Sequence, residues 1–329
     1  MKRIYLILSI FTFVFTSCET DFDVNSSWEE TTVVYGLLDV STENQYIRIN
    51  KAYLGEADAM MMAHNSDSIN FSPAHLEVKL YKLEVFGDLT VDTLGYVTLE
   101  ADTLEKEDGL FATDNNIIYR TPLGFEDFFS NNNRYALIIK NKNSGNKVSA
   151  NTGVISGFDF DNVFRNNNAF QFGFYNNNDY SLSTVTWDDS NDNGKIYQLD
   201  LVINYIENGI NKQLVFSQPL VDKTATKMSI EGESFFNFLR AGLIKDNTKV
   251  RYFNSIDMVM TVGSEDLDTY IKINKPITGI VQERPQFSNI NNGIGLFSSR
   301  FTKIRYSFPL TSASLDFLKS TDGLDRNFQ

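Results

Sequence analysis

The sequence predicts a mainly β protein: two β-sandwiches of the immunoglobulin or fibronectin kind, with two or three short helices in the second. Three observations predict it. Apolar residues recur at every second position in stretch after stretch, the spacing of a strand with one buried face. Turn pairs punctuate those stretches at Asp108-Gly109, Ser144-Gly145, Asn193-Gly194, Asn208-Gly209 and Asn292-Gly293. Aromatic residues make up 13% of the chain, with 27 Phe and 15 Tyr, and such side chains pack well on a pleated surface.

Taken in chain order, strands are expected at Thr32–Leu38 and Tyr46–Tyr53. A third starts at Leu76, where Leu76, Val78 and Leu80 alternate with Glu77 and Lys79, and another covers Tyr135–Asn141. A second set opens at Leu182–Trp187, with Trp187 as a core anchor. Its clearest member places Tyr197, Leu199, Leu201, Ile203 and Tyr205 opposite Gln198, Asp200 and Asn204. That run meets Asn208-Gly209 and then Leu214-Val215-Phe216. Asn-Gly supplies the positive φ angles of a type I′ turn, so Ile196–Ser217 reads as a hairpin. Tyr252–Val262 and the alternation of Ile304, Tyr306 and Phe308 complete the set. Between them, Ser234 is expected to cap a helix carrying Phe235, Phe238, Leu239 and Leu243 on one face. Ser264 is expected to cap another, with Glu265 and Asp266 in its first turn and Leu267, Tyr270 and Ile271 inward.

At 329 residues the chain exceeds the ~250–300 at which one hydrophobic core stops growing. We place a boundary near Gly153–Asp161, giving a self-sufficient sandwich over residues 31–156 and a second over residues 157–329. Ahead of them, residues 1–17 read as a signal peptide and residues 18–30 as an acidic tether. Lys2-Arg3 begin the leader, and Ile4 to Phe15 form an apolar run broken by Ser9 and Thr12. That run is shorter than the ~20 apolar residues that span a bilayer. It ends in Phe15-Thr16-Ser17-Cys18, which resembles a bacterial lipobox with Phe15 in place of the usual Leu. The resemblance implies that Cys18 is acylated and becomes the mature N-terminus, anchored stably by its several acyl chains. Glu19, Asp21 and Asp23 then resemble the acid-rich tract that accompanies export to the outer face of the outer membrane in Bacteroidota lipoproteins.

The net charge is −13, and losing a leader with two bases and no acid makes it more negative still. Such a surface repels phosphate. With no Lys/Arg cluster evident in the mature chain, nucleic acid is excluded as a partner. A single cysteine excludes an intramolecular disulfide, so stability rests on packing.

Further residues extend the likeness. The leader ending in Cys18, the strand Thr32-Val33-Val34-Tyr35-Gly36-Leu37-Leu38, Tyr197-Gln198-Leu199 after Trp187, and Phe287-Ser288-Asn289-Ile290-Asn291-Asn292-Gly293-Ile294-Gly295-Leu296-Phe297 together resemble one family. It is a family of Bacteroidota outer-membrane lipoproteins with no assigned activity, whose genes often lie beside those of TonB-dependent receptors. Residues Tyr46 to Ser68, including Met60-Met61-Met62, fit no pattern of that family. The resemblance implies an address and a neighbourhood, and it carries no catalytic residue.

Chemistry-bearing patterns are few. Asp189, Asn191, Asn193 and Asp200 match the oxygen-ligand spacing of an EF-hand calcium loop, with Gly194 at the sharp turn. Position twelve is Asp where the motif has Glu, and a strand follows where the motif has a helix. A polar hairpin turn with a solvated Asp200 is therefore the simpler account, and no cofactor is expected. His64 and His75 are the only histidines; neither HExxH nor G-x-S-x-G occurs, and Gly232-Glu-Ser234 lacks the second glycine. His64 with Ser66, Asp67 and Ser68 reads as a polar loop. Gly293-Ile-Gly295 is half a dinucleotide fingerprint without its βαβ setting. Ser68, Thr93 and Thr103 each follow an Asp and precede an apolar residue, a triplet resembling the Bacteroidota O-glycosylation sequon at the frequency composition alone would give.

These readings converge on a non-enzymatic, lipid-anchored outer-membrane protein that binds a ligand or partner, faces outward, and works with a TonB-dependent receptor. A periplasmic facing is the alternative address. A structural or adhesion protein is the second functional reading and an unconventional hydrolase the third. A pocket lined by aromatic and polar groups would favour binding; an exposed flat edge strand or apolar patch would favour assembly.

Overall fold

A computed structural model describes residues 31–52, 63–86, 90–105, 107, 109, 116–130, 133–166, 169–188, 193–276 and 286–329. The leader, Cys18, Glu19, Asp21, Asp23, the Met60-Met61-Met62 run, Asp189 and Asn191 lie outside them.

The first half of the chain supplies strands β1 (Thr31–Asp39), β2 (Tyr46–Ala52), a single helical turn α1 (Ser66–Ile69), then β3 (Leu76–Phe86), β4 (Thr90–Thr98), β5 (Glu100–Thr103), β6 (Ile117–Arg120), β7 (Asn133–Asn141) and β8 (Lys147–Gly153). The second half supplies β9 (Asp159–Phe160), β10 (Tyr175–Asn176), β11 (Asp179–Tyr180), β12 (Leu182–Asp188), β13 (Ile196–Glu207), β14 (Ile210–Ser217), β15 (Val221–Asp222), β16 (Lys227–Glu231), helix α2 (Gly232–Gly242), β17 (Arg251–Gly263), helix α3 (Glu265–Asn274), β18 (Gly293–Phe308) and helix α4 (Ser312–Lys319). Strand holds 51% and helix 17%, so the fold is mainly β with a few short helices, as the alternating pattern requires.

Local chemistry explains the best-read elements. Asn208 and Gly209 both sit at positive φ, 51° and 82°, and the hairpin of β13 and β14 closes in register from Glu207↔Ile210 to Asp200↔Ser217. Trp187 is buried at the core, its ring stacked 5.8 Å from that of Tyr197. Helix α2 departs from expectation at its start. Its N-cap is Glu231, because β16 hands directly to the helix and Gly232 N–H donates to Ser181 C=O; Ser234 falls inside the first turn. Helix α3 starts where expected, at Ser264.

The buried apolar residues gather into two hydrophobic cores. One runs from Val34 to Val154, the other from Ile155 to Phe328. The first half nevertheless lacks the expected self-sufficiency, since a single sheet crosses both halves in the order β14-β13-β17-β18-β1-β2-β6-β5, with β15 also paired to β13. Its connecting strand is β18. From Thr32↔Gly293 to Asp39↔Arg300 it runs parallel to β1, and from Gly263↔Arg300 to Ile256↔Phe308 it runs antiparallel to β17. Phe297 and Ile290 thereby enter the first core from the far end of the sequence. This sheet faces β4-β3-β7-β8 across the first core, and β16-β12-β9 with the aromatic residues of α2 across the second.

Basic residues also gather where none was expected to. Arg305 forks onto both carboxylate oxygens of Asp159 at 2.6 and 2.8 Å, with Arg165 at 3.5 Å and Lys303 at 3.9 Å from the same group. The cluster ties β18 to β9 across the open edge of the second sandwich, a spatial grouping that linear spacing hides. At the other end of that sandwich, Arg251 is 1% exposed; its guanidinium meets Glu207 at 2.7 Å and donates to the carbonyls of Ile244 and Arg326. Its backbone also pairs with Asn327 C=O and Gln329 N–H, so the chain end is fastened to β17.

The parallel ladder demands glycine at one point. Gly295 has φ +121°, and a Cβ there would lie 2.0 Å from Val34 O. Gly295→Ala is expected to cost about 3 kcal/mol or more, the upper range of stored backbone strain. Gly95→Ala, whose Cβ would meet open space, should stay within about 0.5 kcal/mol. Urea unfolding of the two variants checks the contrast.

The Lys212 hydrogen bond, and after it that of Arg251, hold the Glu207 carboxyl below its ordinary value against the opposing push of burial. A carboxyl lowered in the folded state contributes stability above its unfolded value and loses it as pH falls through the folded one. Stability should therefore drop more steeply from about pH 5 to about pH 3 in the native protein than in Glu207→Gln. Parallel unfolding curves for both across that range would refute the assignment.

Candidate functional site

An apolar cleft lies on the outer face of the shared sheet, away from the first core. It encloses about 500 Å³, within the ~300–1,000 Å³ of small-molecule sites. Strand β1 shows why it exists. Val34, Gly36 and Leu38 point into the core, but Tyr35 and Leu37 on the opposite side are apolar too, giving a run without polar alternation. A strand covered on both faces reads this way. The cover is α3, whose Leu267 and Tyr270 stand over Tyr35, Leu37 and Leu296.

Helix α3 is seated by its N-cap. The Ser264 and Ser298 hydroxyls share a hydrogen bond at 2.6 Å in the buried seam, and Ser264 C=O accepts from Asp268 N–H to open the helix. Glu265 and Asp266 favour the positive end of the dipole, and Lys272 donates to Asp268 one turn later.

The opposite wall is the β1–β2 connection. Asp39 N–H donates to Gln45 Oε1 at 2.6 Å and Gln45 Nε2 returns a bond to Asp39 C=O at 2.9 Å, which closes the loop on itself. Thr121 Oγ1 accepts from Gln45 N–H and fastens it to the strand beyond. The Asp39 carboxylate accepts from the Ser41 hydroxyl and from Arg300 Nε at 3.1 Å, so the one acid and the one base lining the cleft offset each other. Asn44 Oδ1 is buried in this wall and accepts no hydrogen bond among the described residues.

Three tyrosines complete the lining. Tyr35 and Tyr46 are 45% and 44% exposed, and Tyr270 meets Tyr35 edge-on with ring centroids 6.4 Å apart. Burial, followed by the hydrogen bond with Tyr270, raises the Tyr35 phenol above its ordinary value, so it stays neutral and able to donate. The cleft thus offers ring faces, phenolic hydroxyls and no net charge.

Most residues singled out from the sequence lie elsewhere. Asn193 is spent on Val154, whose C=O accepts from its side-chain amide at 2.8 Å. Asp200 stands roughly 13 Å up β13 from Ile196 at strand rise, in register with Ser217 and Val259. The residue is half-buried, and its Oδ1 is enclosed without a hydrogen bond among the described residues, between two flanking strands. Among the described residues no group of three or more His, Cys, Asp or Glu side chains is gathered for a metal. His75 borders a separate groove with Ser66, Asp67 and Ser72, yet Ser66 Oγ accepts from Asn70 Nδ2 and is not paired to a histidine. Thr93 and Thr103 are exposed on β4 and β5, and Ser68 is half-buried in α1. Tyr35, Tyr46, Asn44 and Arg300 escaped notice as site residues; the signal that marks them is the unbroken apolar run of β1.

No protein-family model matches the chain. No curated protein is significantly similar to it. Among the described residues no helix is long and apolar enough to cross a membrane.

Proposed function

We propose that this is a lipid-anchored outer-membrane lipoprotein of the Bacteroidota kind that captures a small ligand in the tyrosine cleft, acts by binding without turnover, and passes its ligand to a TonB-dependent receptor. The observation that carries the binding role is the cleft itself: exposed aromatic faces gathered over a paired sheet, with no net charge among its lining residues. What supports the address is the apolar leader ending in Cys18 and the acids that follow it.

An assembly role is the second reading. The outermost strand β14 leaves Ile210 and Val215 63% and 51% exposed along an unpaired edge. Unpaired edges invite strand addition. Lys212 on the same strand interrupts that edge with a charge bonded to Glu207, which is how edge strands are kept from pairing.

Two experiments test the address. Metabolic labelling with an alkyne fatty acid should mark the native protein and leave Cys18→Ser unlabelled and no longer partitioning into detergent. Equal labelling of both would remove the anchor from the account. Replacing Glu19, Asp21 and Asp23 with Ala should protect the protein from protease added to intact cells; unchanged digestion would show that outward display does not depend on those acids. Gentle solubilisation of the outer membrane should bring a TonB-dependent receptor down with the native lipoprotein.

A further inference from the structure

We propose that the outer face of the four-stranded sheet β4-β3-β7-β8 lies on an anionic membrane surface, its lysines against lipid phosphates, with the tyrosine cleft opening away from the bilayer. The inference rests on reading Cys18 as a lipid anchor, and it adds the orientation that an anchor alone leaves open.

Strand register writes out the face. Val78, Leu80, Leu137, Ile139 and Val148 point inward and fill the first core. The alternate positions stand outside, in cross-strand rows that set Lys140 between Glu77 and Lys147, Lys79 beside Thr98, and Tyr81 beside Tyr96. The face is open: Tyr96 is 55% exposed, and Thr98, Lys140 and Lys147 are exposed as well.

Charge is uneven across it. Lys79, Lys140 and Lys147, with Lys142 in the turn after β7, set four cations against Glu77, whose carboxylate Lys79 already meets at 2.7 Å. Among the described residues no carboxylate lies within ion-pair distance of Lys140, Lys142 or Lys147. In a chain of net charge −13 this is a local excess of the opposite sign. At the other end of the face Arg134 shares a groove with Glu265 and Asp266, so the excess is confined to one end.

That end is where the tether joins the fold. Thr31 and Lys147 line one groove together with Asn292, so the segment running back to Cys18 starts beside the lysines. Its thirteen residues, Cys18 to Glu30, reach at most about 45 Å. An anchored chain is thereby held at high effective concentration over the surface that its lysines attract.

Shape and side-chain chemistry select the occupant. A sheet face offers no concave wall to enclose a small anion, whereas a plane of headgroups matches it over its whole area. Tyrosine settles at the headgroup layer, and lysine lays its stem on apolar surface while its amine reaches a phosphate. Tyr81 and Tyr96 stand with ring centroids 5.4 Å apart, and Lys79 Nζ lies 5.0 Å from the Tyr96 ring, so both kinds of contact occur side by side. The shared sheet carries the cleft on the far side of the first core, so a membrane under this face leaves the cleft open to solvent.

The test uses the full-length lipoprotein in vesicles of phosphatidylcholine, with or without about 30% phosphatidylglycerol, doped with a headgroup nitroxide. Cys18 is the only cysteine and is blocked by its acyl chain, so Thr98→Cys and Tyr46→Cys each carry a single bimane label. Flotation with the vesicles is scored first, and thermal unfolding checks that each variant folds. In anionic vesicles the label at position 98 should be quenched and the label at position 46 should not. Quenching at position 98 should fall about twofold or more in neutral vesicles, in about 1 M salt, where the Debye length is about 3 Å, and when Lys140→Glu and Lys147→Glu are combined. Quenching absent at position 98, indifferent to lipid charge, salt and charge reversal, or found at position 46 instead, would overturn the orientation and keep the anchor. Quenching that appears only after Glu29→Gln and Glu30→Gln would assign the lysines to the protein's own tether and overturn it too. Flotation with anionic vesicles alone would keep the face and remove the anchor, and flotation with neither would remove both.

Discussion

The whole molecule hangs on one strand that changes partners along a single shared sheet. β18 runs parallel to the first strand of the chain over its first half and antiparallel to β17 over its second, with Arg300 at the changeover paired to both Asp39 and Gly263. Each core therefore owns part of it: Phe297 fills the first and Phe308 the second. Between them Ser298 and Ser299 are fully buried, small enough to let β1, β17 and the start of α3 converge. A bulky side chain there would separate the elements that wall the cleft.

Electrostatics follow the same economy. A chain of net charge −13 places its bases where they join elements: Arg305 between β18 and β9, Arg251 between β17 and the chain end, Arg300 between β18 and the β1–β2 loop. Each is matched to a carboxylate, and the pairs are local, so the surface as a whole stays acidic while the cleft is neutral. The buried one of the three, Arg251 with Glu207, adds little net stability, since desolvation offsets most of its attraction.

Strand positions were legible because a half-buried strand writes its alternation directly into the chain, as at Leu76–Leu80 and Tyr197–Tyr205. The Asn208-Gly209 hairpin was legible because few residue pairs tolerate its dihedrals. The start of α2 was misplaced by three residues, since a serine was available as a cap and the direct passage from β16 leaves no mark in the sequence. The shared sheet was not legible at all. Pairing between β1 and β18 is non-local, and the nearest trace of it, Gly293 and Gly295, looks like half of a nucleotide motif until Val34 is seen pressed against it. The cleft lay hidden for the same reason: Tyr35 and Tyr270 meet only because α3 folds back over a strand from the other end of the chain.

That non-local ladder also governs the order in which the molecule can be built. Asp39 and Arg300 are separated by 261 positions. Synthesis delivers the chain from its N-terminus, so β1 arrives first and waits, apolar on both faces, until nearly everything else has followed. Contacts of such separation are slow to form because the intervening loop must close before they repay it. The final residues then bind back onto β17 through Gln329 and Asn327. The two cores, distinct in the finished protein, are thus completed by the same late event, and a chain truncated before Gly293 would strand both of them, the early one included.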